Sequence, residues 1–211
     1  VEIIWEPKIF LPFHPNGMKF VSVDKEGKET DQWVVFSIGG GALAEESDGA
    51  SSVNTPDVYS MNSMTEILQW CERTGKSYWE YVKECEDSDI WDYLQEVWKT
   101  MQNAVKRGLE QEGVLPGPLN LRRKASTYYI RASGYKQSLQ SRGLVFAYAL
   151  AVSEENASGG VIVTAPTCGS CGVMPAVLYH LAKSREFSDT RILRALATAG
   201  LVGNIVKTNA S

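Results

Sequence analysis

Val161-Ile162-Val163-Thr164-Ala165-Pro166-Thr167-Cys168-Gly169-Ser170-Cys171-Gly172, followed by the apolar run Val173 to Leu181, is the stretch on which the fold turns. Four β-branched residues stop at Ala-Pro, the chain passes through small polar residues and glycines, and a helix opens whose first turn accommodates Pro175. The expectation is strand, loop, helix. Free N–H groups and the positive dipole end of such a helix favour a carboxylate or phosphate, and glycines let a ligand lie against the main chain. The same pattern also serves only to turn the chain in many α/β proteins, so an anion cradle and a plain turn both stand. Cys168-Gly169-Ser170-Cys171 adds a third reading, a dithiol redox module, because a C-x-x-C at a helix start lowers a thiol pKa. A zinc site is less favoured: Cys71, Cys85, His14 and His180 form no second clustered pair.

Working outward, 211 residues with 44% hydrophobic content suit one substantial domain. A net charge of −4 and a pI near 5.3 give no basic footprint for nucleic acid, and no apolar run is long enough to span a bilayer. A small-molecule partner is therefore expected. Four cysteines without a dense framework fit a reducing cytoplasm. Val1 is not a methionine and no signal-peptide pattern follows it, which suggests an excerpt or a processed end.

From Val1 to Gly41 the pattern is strand-like, through Ile3, Ile4, Ile9 and Phe10, a turn at His14-Pro15-Asn16-Gly17, and an antiparallel hairpin of Phe20-Val21-Ser22-Val23 with Trp33-Val34-Val35-Phe36. The second strand runs into Ser37-Ile38-Gly39-Gly40-Gly41, where three glycines mark either a flexible exit or a place where a ligand meets the backbone. Residues 42–60 read as an exposed loop. Ser63-Met64-Thr65-Glu66 and Ser77-Tyr78-Trp79-Glu80 are capping boxes that open two helices separated by Gly75. A longer helix from about Ser88 to Gly108 repeats Ile90, Trp91, Leu94, Val97, Trp98, Met101, Ala104 and Val105 at three- and four-residue steps, the pattern of a core face.

Pro116 and Pro118 fix an extended connection, and Arg122-Arg123-Lys124 reads as a solvated face in preference to an anion site. A helix from about Tyr135 or Leu139 to Ser153 ends at Glu154-Glu155, whose adjacent carboxylates point apart and suit a helix-end surface. A last helix spans about Thr190 to Val206, with Gly200 and Gly203 expected to admit a close neighbouring helix. His14 and His180 have no surroundings that mark either as a base. The expected fold class is mainly α with a small antiparallel β element near the N-terminus (α+β): a β-rich junction and hairpin over 1–41 and a helical core over 61–211.

Thr164-Ala165-Pro166-Thr167, Gly169, Cys171-Gly172 and Pro175-Ala176-Val177-Leu178 resemble the T-A-P-T-N-G-x-x-G-x-x-P-A-V-L signature of the bacterial iron–sulfur L-serine dehydratases. Phe10-Leu11-Pro12-Phe13-His14-Pro15-Asn16-Gly17-Met18, Ser37-Ile38-Gly39-Gly40-Gly41, Glu112-Gly113-Val114-Leu115-Pro116-Gly117-Pro118, Glu154-Glu155-Asn156-Ala157 and Asn209-Ala210-Ser211 match that family in the same order. The resemblance implies an alpha-domain-like fold and deamination of L-serine to pyruvate and ammonia with a four-iron four-sulfur cluster and no pyridoxal phosphate. It implies that Ser37, Gly39, Gly40, Gly41, Thr167, Cys168, Gly169, Asn209 and Ser211 surround the substrate carboxylate and amine, with Lys124 and Arg123 as weaker candidates for charge complementarity to the carboxylate. Position 168 is commonly asparagine in that family, so its thiol is a departure. The cluster cysteines are expected beyond Ser211 and the catalytic histidines before Val1, which makes the chain a partial catalytic domain, truncated at both ends and inactive alone. No metal ligand and no base is assigned within it, and a homodimer is the assembly left open. A dithiol module or a small-carboxylate binding module remain the alternative functions.

Overall fold

A computed structural model of the chain describes residues 2–6, 8–9, 11–39, 42–45, 58–164 and 168–209. It divides into two compact units, Val1–Pro56 and Asp57–Ser211. The mainly α character with a small N-terminal antiparallel sheet agrees with the sequence reading.

In the first unit, β1 (Gly17–Val23), β2 (Glu29–Gly39) and β3 (Ala42–Ala44) form an antiparallel sheet in the order β1-β2-β3. The register pairs Gly17 with Phe36 and Phe20 with Trp33, whose rings stack at 5.5 Å. The hairpin is fixed locally: Asp24 Oδ1 accepts from the N–H groups of Glu26 and Lys28, each at 2.9 Å, and Gly27 takes φ +79°. Two expectations fail here. Ile3, Ile4 and Ile9 are exposed and belong to no strand, while Phe10 lies outside the described residues. Ala42–Ala44, expected as loop, pairs Leu43 with Ser37 as an edge strand.

The second unit is helical. Helix α1 (Met64–Thr74) begins at Ser63, whose Oγ accepts from the Glu66 N–H at 3.3 Å while Glu66 Oε2 accepts from the Ser63 N–H at 3.1 Å. It ends at Gly75, which adopts the left-handed conformation with φ +70°. Helix α2 (Tyr78–Cys85) opens with Glu80 Oε2 accepting from the Ser77 N–H at 2.9 Å. Bonds from Ser63 and Ser77 hold the carboxyls of Glu66 and Glu80 below the usual glutamate range, so both boxes weaken in acid once those groups protonate.

Helix α3 (Asp89–Glu110) buries Leu94, Trp98, Met101, Ala104, Val105 and Gly108 along one face, as its periodicity predicts. Around it lie α4 (Ala125–Ser133), α5 (Gln137–Ala157), α6 (Val173–Ser184) and α7 (Asp189–Asn209). Helix α4 is absent from the sequence reading, since its nine residues carry only two buried side chains, Ala125 and Ala132. Ile67, Trp70, Tyr81, Trp98, Val105, Tyr148, Val152, Ala176, Ile192 and Leu196 belong to one core cluster. Gly200 and Gly203 do not admit a packed helix as expected: a Cβ at either would meet nothing within 4 Å among the described residues.

Candidate functional site

The glycine turn is built on the end of α5 and the start of α6. Val161 to Val163, expected as a strand, belongs to no strand among the described residues. The carbonyl of Val161 instead accepts from Arg107 Nη2 at 2.6 Å, so a side chain takes the place of a sheet ladder. Residues 165–167 lie outside the description. Cys168–Ser170 forms one 3-10 turn, and α6 follows with Pro175 in its first turn, where no intrahelical donor is lost.

Gly172 has a reason that the sequence left open. A Cβ there would stand 2.5 Å from the Ala149 carbonyl oxygen and 2.9 Å from Ser153 Oγ, so its missing side chain lets the α6 start pack on α5. Gly169 is exposed and keeps its main chain open to solvent. Cys171 is buried in the core cluster, which disfavours the dithiol reading because an exchanging thiol must be reached by its partner. The Cys168 side chain lies outside the described part of the structure.

The charged residues beside the turn overturn two expectations. Glu154 and Glu155, read as a helix-end surface pair, are both buried. Arg123, read as part of a solvated face, has a side chain only 8% exposed. They meet one another: Glu155 Oε1 accepts from Arg123 Nη1 at 3.3 Å, and Glu155 Oε2 from Arg107 Nε at 3.0 Å. Arg123 Nη2 also donates to Ser158 Oγ at 2.6 Å. Glu154 points the other way, as adjacent helical residues must. Its Oε1 accepts from the backbone N–H groups of Lys124 and Ala125 at 2.6 and 3.2 Å and so caps α4. Glu154 Oε2 is buried without a hydrogen-bond partner among the described residues, an uncommon state for a carboxylate oxygen. The cation that Arg123 offers is therefore spent on an internal carboxylate, while the Lys124 residue stays exposed.

The other expected site residues belong to different elements. Ser37 and Gly39 lie in the last part of β2, in the first unit. Asn209, the final residue of α7, donates from Nδ2 to the carbonyls of Ile205 at 2.8 Å and Asn62 at 3.1 Å. Gly40, Gly41, Thr167 and Ser211 lie outside the described residues. His14 Nδ1 accepts from the Asn16 N–H at 3.2 Å, within its own turn. His180 Nε2 shares a 2.7 Å hydrogen bond with Ser141 Oγ; burial, then the charge of Arg185, pushes its imidazole below the ordinary histidine range. A separate concavity of 430 Å³, lined by Trp79, Lys83, Trp91, Thr190, Leu193 and Arg194, contains none of these residues.

Among the described residues no three His, Cys, Asp or Glu side chains are grouped as a metal ion would require. No helix among them is long and apolar enough to cross a membrane.

Residues 25–211 match the serine dehydratase alpha chain family, and residues 1–48 the serine dehydratase beta chain family. L-serine dehydratase of Haemophilus influenzae is 37% identical over 217 residues, covering 97% of this chain and 48% of that protein. L-serine dehydratase of Streptomyces coelicolor is 37% identical over 213 residues, covering 95% and 47%. L-serine dehydratase 1 of Escherichia coli is 38% identical over 215 residues, also covering 95% and 47%. The chain thus spans about half the length of the curated relatives it matches. The alpha chain match runs from residue 25 to residue 211, well over half of the sequence, and the chain therefore belongs to the serine dehydratase alpha chain family.

Proposed function

We propose that this chain is a partial catalytic domain of a cytoplasmic L-serine dehydratase, acting in amino-acid breakdown. The observation that carries the reading is the match of residues 25–211 to the alpha chain family, together with relatives named L-serine dehydratase at 37–38% identity. The reaction removes the α-proton and the β-hydroxyl of L-serine, leaving aminoacrylate and water. Tautomerisation and hydrolysis of the imine then give pyruvate and ammonia.

In this reading the turn between Thr164 and Gly172 holds the charged head of serine. Main-chain N–H groups near Thr167, Cys168 and Gly169 donate to the carboxylate, where a fixed dipole needs no reorganisation as the reaction proceeds. Ser37, Gly39, Gly40, Gly41, Asn209 and Ser211 complete the surround of the carboxylate and amine, and Lys124 adds positive charge. The four-iron four-sulfur cluster of the family would be held by cysteines beyond position 211 and would supply Lewis-acid chemistry at the substrate hydroxyl.

Anaerobic iron and sulfide reconstitution of the full-length protein, followed by pyruvate measurement, tests this. Pyruvate from L-serine, and none from the isolated 211-residue chain, is the expected result. A reconstituted full-length protein that leaves L-serine intact contradicts it. The small-carboxylate binding alternative gives that second outcome with L-serine still bound.

A further inference from the structure

Arg107 sits in the last turn of α3 and bonds in two directions, to Glu155 Oε2 through Nε and to the Val161 carbonyl through Nη2. Glu155 is held from its other side by Arg123, which also reaches Ser158 Oγ. Ser158 Oγ in turn donates to the Glu154 carbonyl at 2.8 Å, and the Gly160 N–H donates to the Glu155 carbonyl at 2.8 Å. The fit is close: a Cβ on Gly160 would stand 2.8 Å from Glu155 Oε2. The chain from Glu155 to Val161 is thus tied to one ionic group, and Val161 to Thr164 has no ladder of its own to fix its course. A guanidinium can serve both acceptors because its donors lie in one rigid plane, whereas a lysine ammonium is a point charge on a flexible stem.

We propose that Arg107, Glu155 and Arg123 form a clamp that sets where the chain enters the glycine turn, making Arg107 a positioning residue for substrate binding there. This rests on the reading of that turn as the serine carboxylate site. The clamp touches no reacting atom, so its loss alters how well the turn is placed to receive the carboxylate. The effect falls on KM more than on kcat. Arg107 is the member suited to a test: its side chain is 41% exposed, and Glu155 keeps Arg123 when Arg107 is removed.

The experiment compares Arg107→Met and Arg107→Lys with wild type in the full-length protein, measuring amide hydrogen exchange over residues 158–160, whose N–H groups donate to the carbonyls of Glu154, Glu155 and Asn156, and steady-state kinetics with L-serine. For Arg107→Met we expect exchange about tenfold faster there and KM about tenfold higher, with kcat changed less than about threefold. Arg107→Lys, able to satisfy one acceptor at a time, falls between. Unchanged exchange in Arg107→Met overturns the clamp whether or not pyruvate is formed. Faster exchange with unchanged KM in an active enzyme overturns its role in substrate binding. A wild type that makes no pyruvate defeats the serine reading instead, and the exchange comparison still decides the clamp.

Discussion

Glu155→Leu is expected to destabilise the Asp57–Ser211 unit by about 3–5 kcal/mol, because it leaves the Arg123 guanidinium buried without its carboxylate. Arg107 contributes less to the loss, since its head can turn into water. The size of the effect does not measure the net worth of the ion pair. Taking two charges out of water costs nearly as much as their attraction returns, so a double variant with apolar groups at both positions should be close to neutral. Glu155→Leu with Arg123→Leu is therefore expected to recover most of the loss, less the hydrogen bond from Arg123 to Ser158. Urea unfolding followed by circular dichroism reads both. A single variant within about 1 kcal/mol of wild type, or a double variant no better than the single one, would contradict a buried and mutually dependent pair.

The second large effect is expected at Gly108, where α3 crosses α5. A Cβ at this position would lie 2.2 Å from the carbonyl oxygen of Ala151 and 2.8 Å from its Cα. These are backbone atoms of a helix, so no flexible side chain can yield. Ala104, Val105, Ala147, Ala151 and Val152 are all buried around the crossing, which leaves little room for the helices to part. Replacing a helical glycine by alanine gains about 1 kcal/mol of propensity, and overpacking a core costs about 1–3 kcal/mol or more. The steric term wins for Gly108→Ala. It wins by more for Gly108→Val, where the added branches raise the expected loss to about 3 kcal/mol or above. Thermal unfolding of the two variants checks the order: wild type highest, alanine next, valine lowest. An alanine variant more stable than wild type would mean that the helices separate freely.

Both effects arise from contacts that a linear reading could not reach. The capping boxes at Ser63 and Ser77, the left-handed Gly75 and the apolar face of α3 depend on residues a few positions apart, and each was legible. Glu154 and Glu155 look like a solvated helix end because their partners are remote: Arg123 is 32 residues before Glu155, and Arg107 is 48. A signal was present for the carboxylates alone, since Glu154-Glu155-Asn156-Ala157 is one of the motifs that resembles the family, whereas Arg107 and Arg123 lie in none of them. The Val161 segment misled for a related reason. β-branched residues favour extended backbone, but a strand also needs a neighbour, and here an arginine supplies the bond. Helix α4 was missed because its few buried alanines carry almost no periodic signal, and Gly200 and Gly203 of α7 were read as packed where a Cβ would meet nothing within 4 Å among the described residues. Of the candidate site, the glycine turn and its helix were visible in the sequence, while the ionic clamp beside it was not.

The central claim is that the glycine turn receives the carboxylate and amine of the substrate. L-alanine carries the same head as L-serine but no β-hydroxyl to eliminate, so its binding isolates that contact from the chemistry. Calorimetric titration of L-alanine into the full-length protein and its Gly169→Val variant is the direct measurement. Saturable binding to wild type, weakened at least about tenfold in the variant, or about 1.4 kcal/mol, is the predicted result. Equal affinity in the two proteins would contradict it.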